Sequence, residues 1–390
     1  MKHRAFFIAC MLAAAPFLWG CAHPEARPAA PDPQSIRRDV RASHELGLQW
    51  FVNSIRENGK FVYLYDPFQD RYMEGADMVR QLMAARLLAE LASENPRHLE
   101  RHESSLRFIL TEWYRESGDQ AYVFHGGRSE LGANAMALRT LVYSPLFARH
   151  EDKAKKLANG IVSLIQPDGS FVPYYVYPTR KDKIKKERYL RYYSGEAVLA
   201  LAEYAEATGD PMFKASALRA LDWCMKHYVD NMRANFHPAY VPWQTFAMHE
   251  LYESVRDPGL VDAIFRLNDR LVDLQDTTDT IGRFYKRRYR SYGGPHASCD
   301  AVYTESLAHA YQLAVETGDR KRRQEYLAVI RLAVKNLERL QFQEEFQTLV
   351  PGRGLVTGAV RTSAGNWKIR IDNVQHTMDA YRKLLQVLPE

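Results

Sequence analysis

Six segments rich in alanine and leucine recur along this chain, and they constrain its fold more than any other feature. Each carries apolar side chains at helical spacing, which predicts a helix with a buried face. The acidic or amide residue near the start of one segment lies 48 to 67 residues before that of the next. The predicted helices span residues 75–91, 131–142, 195–207, 242–254, 303–316 and 372–385.

A second helical segment precedes each of these six, so the repeating unit is a helix, a loop and a further helix. Open solenoids also repeat helix pairs, but their periods are shorter and more regular, about 34 to 47 residues. Long, uneven periods with small residues on the second helix favour a closed ring, in which the small residues let inner helices pack side by side. The sequence therefore predicts an all-α fold of twelve helices. The partner helices are predicted at residues 36–56, 98–116, 153–165, 211–229, 260–274 and 321–340.

Two phrases resemble passages common in one superfamily. Residues 193–197 read Tyr-Ser-Gly-Glu-Ala and lead to Glu-Ala-Thr-Gly-Asp at 206–210, while residues 166–171 read Gln-Pro-Asp-Gly-Ser-Phe. With the repeat, they make the chain similar to the (α/α)6 toroid superfamily, the six-hairpin glycosidase-like and terpenoid-cyclase-like proteins. The resemblance covers nearly all of residues 36–388 and implies a toroid of six helical hairpins. It leaves the chemistry open, because this fold carries hydrolases, lyases, epimerases, cyclases and non-enzymes.

The N-terminus predicts export. A short basic head at 2–4 precedes an apolar run at 5–19, which is shorter than the roughly 20 residues that span a bilayer. Residues 18–21, Leu-Trp-Gly-Cys, resemble a bacterial lipobox, which implies that Cys21 becomes the lipidated first residue of the mature protein. A plain secretory signal that ends near a cysteine is the alternative. We expect a signal peptide at 1–20, a lipidated cysteine with a Pro/Ala-rich tether at 21–35, and one toroid domain at 36–390.

Charge and cysteine content limit the partners. The formal charge of +6 falls to +4 when Lys2 and Arg4 leave with the signal, which is too mild to indicate a nucleic-acid partner. Ala22 follows the cysteine, which in lipoproteins implies the outer membrane, here facing the periplasm. Cys224 and Cys299 are able to pair in that oxidising compartment, but two distant cysteines make no disulfide framework, and we favour free, buried thiols.

The loops before the six inner helices concentrate tyrosine, tryptophan, histidine and arginine. In a ring whose inner helices all begin at one end, these loops gather over a single central funnel. Aromatic faces with charged groups at their edges are typical of a carbohydrate cleft, and we predict that Tyr192 and Trp243 bind substrate. The loops span residues 59–73, 122–130, 171–194, 236–244, 283–304 and 352–371.

Acidic residues near the starts of the inner helices are the first catalytic candidates. A glycosidase needs two carboxyl groups, one protonated as the acid and one acting as base or nucleophile. Equivalent positions in the repeat lead us to expect four of them at one cavity. The alternative for each is structural, because acidic residues in a first turn are favoured by the helix dipole and by capping. These candidates are Asp77, Glu196, Glu305 and Asp372.

The segment from Arg370 to His376 contains more candidate catalytic side chains than any other. Asp372 and His376 stand four residues apart on one helix face, which suits joint proton transfer, and Arg370 suits bidentate recognition of a carboxylate or phosphate. An aspartate cap with a satisfied histidine is the alternative. Residues 293–300 form a second string, whose glycines allow a loop close to a ligand and whose His296 we predict to bind substrate. We expect no metal and no cofactor, because the sequence has no HExxH or paired Cys/His pattern.

Two basic segments, 180–188 and 285–290, lie in the predicted funnel loops. The second is interleaved with tyrosines and contains Arg287 and Arg288, which we predict to bind substrate. Charge runs are usually solvated surface. In these loops they favour an anionic ligand, such as a uronate- or phosphate-bearing glycan, or an anionic membrane surface.

The sequence thus predicts a lipid-anchored carbohydrate-active enzyme of the bacterial cell envelope that acts on an anionic polysaccharide or oligosaccharide. A hydrolase, a lyase and an epimerase all remain open. A lyase or epimerase needs a base, an acid such as tyrosine or histidine, and an arginine to neutralise a carboxylate, and the loops supply all three. The alternative is a non-catalytic lipoprotein that binds polysaccharide during export or assembly. Terpenoid cyclisation is disfavoured, because the sequence has no DxDD or DDxxD string.

Overall fold

Twelve long helices alternate between outer and inner positions in the part of the chain that the computed structural model describes. That part comprises residues 32–73, 75, 77–178, 186–351 and 356–390, without the side chains of residues 186, 187 and 347. The outer helices are α1 (Pro33–Asn53), α3 (Leu99–Phe108, continued by a π-helix at Ile109–Trp113), α5 (Glu151–Val162), α7 (Pro211–Cys224, continued by a π-helix at Met225–Asp230), α9 (Pro258–Val272) and α11 (Arg320–Leu340). The inner helices are α2 (Met78–Glu94), α4 (Leu131–Val142), α6 (Lys186–Thr208), α8 (Val241–Val255), α10 (Ala297–Glu316) and α12 (Ile371–Val387).

The inner helices form a closed ring. Each packs against the next inner helix, and the ring closes where α12 packs against α2. Each of the outer helices α3 to α11 packs on the inner helix that precedes it in the chain, and α1 completes the sixth pair by packing on α12. The start of α1 therefore meets the C-terminus: Gln34 Nε2 donates to the carbonyl oxygen of Glu390 at 2.8 Å, and Arg37 Nη1 donates to that of Leu388 at 2.8 Å. The predicted all-α (α/α)6 toroid is confirmed.

Small residues allow the inner helices to approach closely. A Cβ added to Gly132 on α4 would collide with the Glu196 carboxyl on α6. A Cβ added to Gly195 on α6 would lie 2.7 Å from Trp243 Cβ on α8. Larger side chains at these two positions would push the helices apart, which explains why the second helix of each predicted pair is rich in alanine and glycine.

The outer helices begin at short, well-capped turns. Asp32, Asp210 and Asp257 each precede a proline in the first turn of an outer helix and accept a hydrogen bond from a backbone N–H of that turn, Asp210 from Met212 at 2.9 Å. Aspartate at the N-cap and proline at the first position are both favoured at helix starts. Only residues 209–210 separate α6 from α7. We call this side of the ring, where the inner helices end, the turn end.

Long connections occupy the opposite side, which we call the loop end, and they carry short antiparallel strands. One sheet has the order β2-β1-β8-β7 and joins the first long connection to the last. Leu64 pairs with Arg370 in this sheet, which places Arg370 at the start of α12. Strand β3 pairs with β4, and β5 pairs with β6. The strands are β1 (Leu64–Asp66), β2 (Arg71–Met73), β3 (Tyr114–Ser117), β4 (Gln120–Val123), β5 (Ser129–Glu130), β6 (Tyr174–Val176), β7 (Arg361–Ser363) and β8 (Asn366–Arg370). Shorter helices lie at Pro96–His98, Phe147–Arg149, Met232–Asn235, Pro238–Tyr240, Arg287–Tyr292 and Glu344–Leu349.

Several predicted features fall outside this part of the chain. The signal segment at 1–20, Cys21 and the tether as far as residue 31 lie outside the described residues, as do residues 180–185 of the first basic segment. No helix within the described ranges is long and apolar enough to cross a bilayer. Cys224 is buried, Cys299 is half-buried, and both are free.

Candidate functional site

Charged side chains cluster around Asp372 at the loop end of the ring. Arg370 Nη2 and Arg80 Nε, the latter from α2, both donate to Asp372 Oδ2, at 2.7 and 2.8 Å. Burial opposes ionisation of Asp372, but the hydrogen bond and charge of Arg370, with the charge of Arg80, lower its pKa to about 2. Asp372 is therefore an ion-paired carboxylate rather than the helix cap that the alternative interpretation proposed.

Arg80 links Asp372 to a second predicted residue. The Arg80 backbone N–H donates to Asp77 Oδ1 at 3.2 Å, so Asp77 caps α2, and the Arg80 guanidinium also pairs with the Asp77 carboxylate. Sequence reasoning missed Arg80. Arg80 follows Asp77 by three residues, a spacing that predicts an ion pair on a helix. The contact between Arg80 and Asp372 depends on the closure of the ring.

Two neutral histidines flank this cluster. His296 caps α10, and its Nδ1 accepts a hydrogen bond from the Ser298 backbone N–H at 3.3 Å, so the ring proton lies on Nε2. Burial, reinforced by the charge of Arg370, lowers the pKa of His296 to about 4. His376 lies one turn after Asp372, and its Nδ1 has no hydrogen-bond partner among the described residues. Burial lowers the pKa of His376 to about 4 despite the negative charge of Asp372.

Glu196 is a buried acid on α6. Its residue surface is 1% exposed, and its Oε2 has no partner among the residues that the structure describes. Burial raises the pKa of Glu196 to about 8, and although the charge of Arg139 opposes this, the charges of Asp77 and Glu130 add to it. Glu196 therefore carries a proton at neutral pH, as a general acid must.

These predicted residues meet at one place. The charges of Arg370, Asp372 and His376 all affect the pKa of His296, so the four groups lie close together. Tyr192 on α6 is 37% exposed, and the charge of Glu196 contributes, after burial, to raising its pKa. We call this group the loop-end site. Its residues are Asp77, Arg80, Tyr192, Glu196, His296, Arg370, Asp372 and His376.

A cavity of about 480 Å³, which we call the turn-end chamber, lies between the inner helices on the other side of the ring. The predicted residues Trp243, Glu305 and His376 line it, whereas Asp77, Glu196 and Asp372 do not. Trp243 lies in the first turn of α8 and His376 in the second turn of α12. They mark the inner limit of the chamber, 6.1 Å apart between ring centroids. The sequence predicts an opening at the loop end, whereas this cavity lies at the turn end.

Three groups in the chamber have the spacing of a metal site. One donor atom from each of Glu305, His376 and Asp379 lies within 4.8 Å of the others. However, Asp379 already accepts hydrogen bonds from Arg86 and Gln375, so a guanidinium would lie beside the ion. Burial, with the charge of Asp379, raises the pKa of Glu305 well above its ordinary value. A guanidinium that already pairs with one of the three ligand groups fits a divalent metal poorly.

The predicted basic residues Arg287 and Arg288 lie apart from the loop-end site. They are exposed in the short helix Arg287–Tyr292 and line a shallow cavity of about 350 Å³ with Asp276 and Lys286. The Arg288 guanidinium stacks over the Tyr289 ring at 4.6 Å. Within the described ranges neither arginine forms an ion pair or hydrogen bond with a residue of the loop-end site.

The chain matches no family model, and no curated protein matches its sequence. Solved structures do resemble it. The GH76 α-mannanase of Bacteroides thetaiotaomicron has a TM-score of 0.64 and 11% identity, over 91% of this chain and 98% of that chain. The cellobiose 2-epimerase of Spirochaeta thermophila has a TM-score of 0.64 and 14% identity, over 92% and 98%. The chain shares the (α/α)6 toroid fold with these structures. An unsaturated glucuronyl hydrolase of Streptococcus agalactiae is similar too, with a TM-score of 0.62 and 12% identity, over 93% and 96%. At these identities the likeness shows the fold alone.

Proposed function

We propose that the protein is a carbohydrate-active enzyme that moves a proton on a sugar of an anionic oligosaccharide or polysaccharide, as a lyase or an epimerase. The observation that carries this proposal is His376. Burial lowers the pKa of its ring to about 4, so the ring is neutral at pH 7, and its Nδ1 has no partner among the described residues. It lies one helical turn after Asp372, which pairs with Arg370.

Each step of proton transfer has a candidate group at the loop-end site. His376 Nδ1 is the base that removes a proton from a carbon next to a carboxylate or carbonyl. Arg370 and Arg80, which share Asp372, are the candidate hydrogen-bond donors to the negative charge that develops on the substrate oxygen. The Nε2–H of His296 and the protonated Glu196 are candidate proton donors. A carboxylate bound near Arg370 would raise the pKa of both histidines toward the working pH.

Two further observations support the substrate class. The neighbours of the fold carry the names mannanase, epimerase and glucuronyl hydrolase, all of them acting on sugars. The last name refers to a uronic acid, which carries a carboxylate. Arg287 and Arg288 add exposed positive charge at the loop end, which favours an anionic polymer.

Turnover in heavy water by wild type and by His376→Gln tests the proposal. With a panel of uronate-containing oligosaccharides, an epimerase incorporates deuterium at carbon, and a lyase produces a double bond that absorbs ultraviolet light. We expect His376→Gln to lose roughly 10²- to 10⁴-fold in turnover. The matched control is His44→Gln on α1. Burial also lowers the pKa of His44 to about 4, and its Nε2 likewise lacks a partner in the described ranges, but it lies on an outer helix. Full activity in His376→Gln would overturn the assignment.

Glycoside hydrolysis is the second candidate, and Glu196 is the observation that favours it. A buried carboxyl that is protonated at neutral pH, near the acidic Asp77, resembles the acid of a hydrolase. Hydrolysis would release new reducing ends without deuterium at carbon and without a double bond. Binding of the oligosaccharides with no turnover of any kind would instead favour the non-catalytic lipoprotein.

We also propose that the protein is anchored by lipid at Cys21, in the outer membrane and facing the periplasm. The support is the basic and apolar N-terminus that ends in a lipobox-like Leu-Trp-Gly-Cys. Cys21→Ser should release the protein from the membrane fraction. A variant that stays in the membrane with an uncleaved signal would contradict the anchor.

A further inference from the structure

The turn-end chamber is a second candidate site, distinct from the loop-end site in its opening and in its chemistry. All six inner helices contribute side chains to it. Its volume of about 480 Å³ is in the range of cavities that hold small ligands. One representative from each inner helix, in chain order, is Arg86, Arg139, Glu203, Phe246, Glu305 and Lys383.

Aromatic rings form one wall of the chamber. Trp243 and Phe246 on α8 meet edge to face with centroids 5.7 Å apart, and Phe246 lies 5.0 Å from the His309 ring. Such rings present flat apolar surface to the C–H face of a sugar and attract cations through their π-electrons. At the inner limit, His376 is 7% exposed and lies at the border of the two sites. Its Nδ1, the base of the proposed reaction, lacks a partner among the described residues.

The guanidinium groups of the chamber are already neutralised. Arg139 forms a bidentate pair with Glu203 at 2.5 and 2.6 Å. Arg382 Nη2 donates to Glu94 Oε1 at 2.6 Å, and Arg86 Nη1 donates to Glu90 Oε1 at 2.7 Å. These cations therefore offer little positive charge to an incoming ligand.

Two carboxyl groups in the chamber have no such partner. Seven carboxyl groups and four basic side chains line the chamber. Neither Glu250 nor Glu305 forms an ion pair or hydrogen bond with another described residue, whereas Glu253 pairs with Arg256 at the mouth. Lys383 is the remaining cation, and its Nζ donates to Gln312 Oε1 at 2.7 Å. With Arg256 counted, seven carboxyl groups face five cations, so full ionisation of the acids would leave two excess negative charges, which a bound cation would reduce.

Burial opposes the ionisation of both acids. Burial, with the charge of Glu203, raises the pKa of Glu250 to about 7. Burial, with the charge of Asp379, raises that of Glu305 well above its ordinary value. A ligand ammonium placed between them would favour the ionised carboxylates and form charge-assisted hydrogen bonds with them.

We propose that the turn-end chamber binds a sugar-sized ligand with a primary ammonium group, an amino sugar, through Glu250 and Glu305 with its ring against Phe246 and Trp243. A monovalent ammonium suits the chamber better than a divalent metal, since Asp379 is already occupied by Arg86. This inference does not rest on the proposed function, because it concerns binding at the opposite end of the ring.

The test compares three ligands on the full-length protein by titration calorimetry: glucosamine, N-acetylglucosamine and glucose. We expect glucosamine to bind about tenfold or more tightly than the other two, because only it offers a charged donor to both carboxyl groups. Glu250→Gln and Glu305→Gln keep the shape of each side chain and should each remove most of that preference. Glu253→Gln is the matched control, since its side chain is 46% exposed and paired with Arg256.

Two results would overturn the proposal. One is equal affinity of wild type for glucosamine and N-acetylglucosamine, which needs no variant to fold. The other is a glucosamine-bound structure in which the ammonium lies away from Glu250 and Glu305. Neither result depends on turnover, so a failure here is distinguishable from a failure of the lyase or epimerase proposal.

Discussion

Replacing Glu196 by glutamine should make the protein more stable at neutral and alkaline pH. The ordinary pKa of a glutamic acid is 4.5, and burial raises that of Glu196 to about 8. The folded state thus holds this proton more tightly than the unfolded state does. Wild type consequently loses stability as the pH rises above 4.5, and the loss is complete above pH 8.

The loss of stability in wild type can be calculated from the difference between the ordinary and the raised pKa of Glu196. Each pH unit is worth about 1.4 kcal/mol, so the full interval between 4.5 and 8 corresponds to about 5 kcal/mol, of which about 3 kcal/mol is reached at pH 7. The glutamine amide replaces Oε2, which has no partner among the described residues, and leaving a buried donor unpaired costs roughly 1–3 kcal/mol. That cost does not change with pH, so the pH dependence of the unfolding free energy reports only the ionisation of the Glu196 carboxyl.

Urea denaturation followed by circular dichroism measures the free energy of unfolding of both proteins from pH 4.5 to 8.5. We expect the difference between Glu196→Gln and wild type to grow by about 4 kcal/mol over this range. Glu206→Gln is the control, because Glu206 is an exposed carboxyl on the same helix and its loss should leave the pH dependence of wild type. A difference that stays flat between pH 5 and 8 would refute the reasoning, since Glu196 would then ionise freely in the fold.

Two more outcomes are expected. Replacing Arg287 and Arg288 by serine should weaken binding of anionic oligosaccharides more at low salt than at high salt, because exposed charges are screened over about 8 Å at physiological ionic strength. A neutral oligosaccharide is the control ligand, and unchanged binding of the anionic oligosaccharides at low salt would contradict this prediction. Glu203→Leu should cost about 3–5 kcal/mol of unfolding free energy because it strands the buried Arg139, while Glu203→Leu with Arg139→Met should come close to wild type. Urea denaturation of both variants measures the difference, and equal losses would show that the pair is not coupled.

Most of the fold was predictable because the inner helices carry a clear sequence pattern of small and apolar residues at helical spacing. The helix predicted at 131–142 coincides with α4, and small residues such as Gly195 mark where inner helices touch. The sequence indicated less clearly which outer helix packs on which inner helix. Consecutive helices suggested hairpins in which each outer helix precedes its inner partner, yet α1 packs on α12. Such a contact spans the whole chain, and no local pattern reports it.

The site was partly predictable for the same reason. Asp372 and His376 share a helix, so their proximity follows from helical spacing. The convergence of His296 and Arg80 on Asp372 needs the closed ring, which joins α2, α10 and α12. The turn-end chamber was missed because its charged residues, Glu250 among them, are scattered singly through apolar helices. A charged residue on an inner helix is the signal that would have revealed it.

The meeting of α1 with the C-terminus has a consequence for how the ring is assembled. Asp32 caps α1, and Glu390 lies within hydrogen-bond distance of Gln34, so a short linker between the termini should be tolerated. A circular permutant reopened between α6 and α7, at residues 209–210, would keep every inner contact of the ring. In the native order, α1 has no inner partner until α12 has been synthesised. For a chain that crosses a membrane unfolded, as the N-terminal segment predicts, this order delays ring closure until the last residues are available.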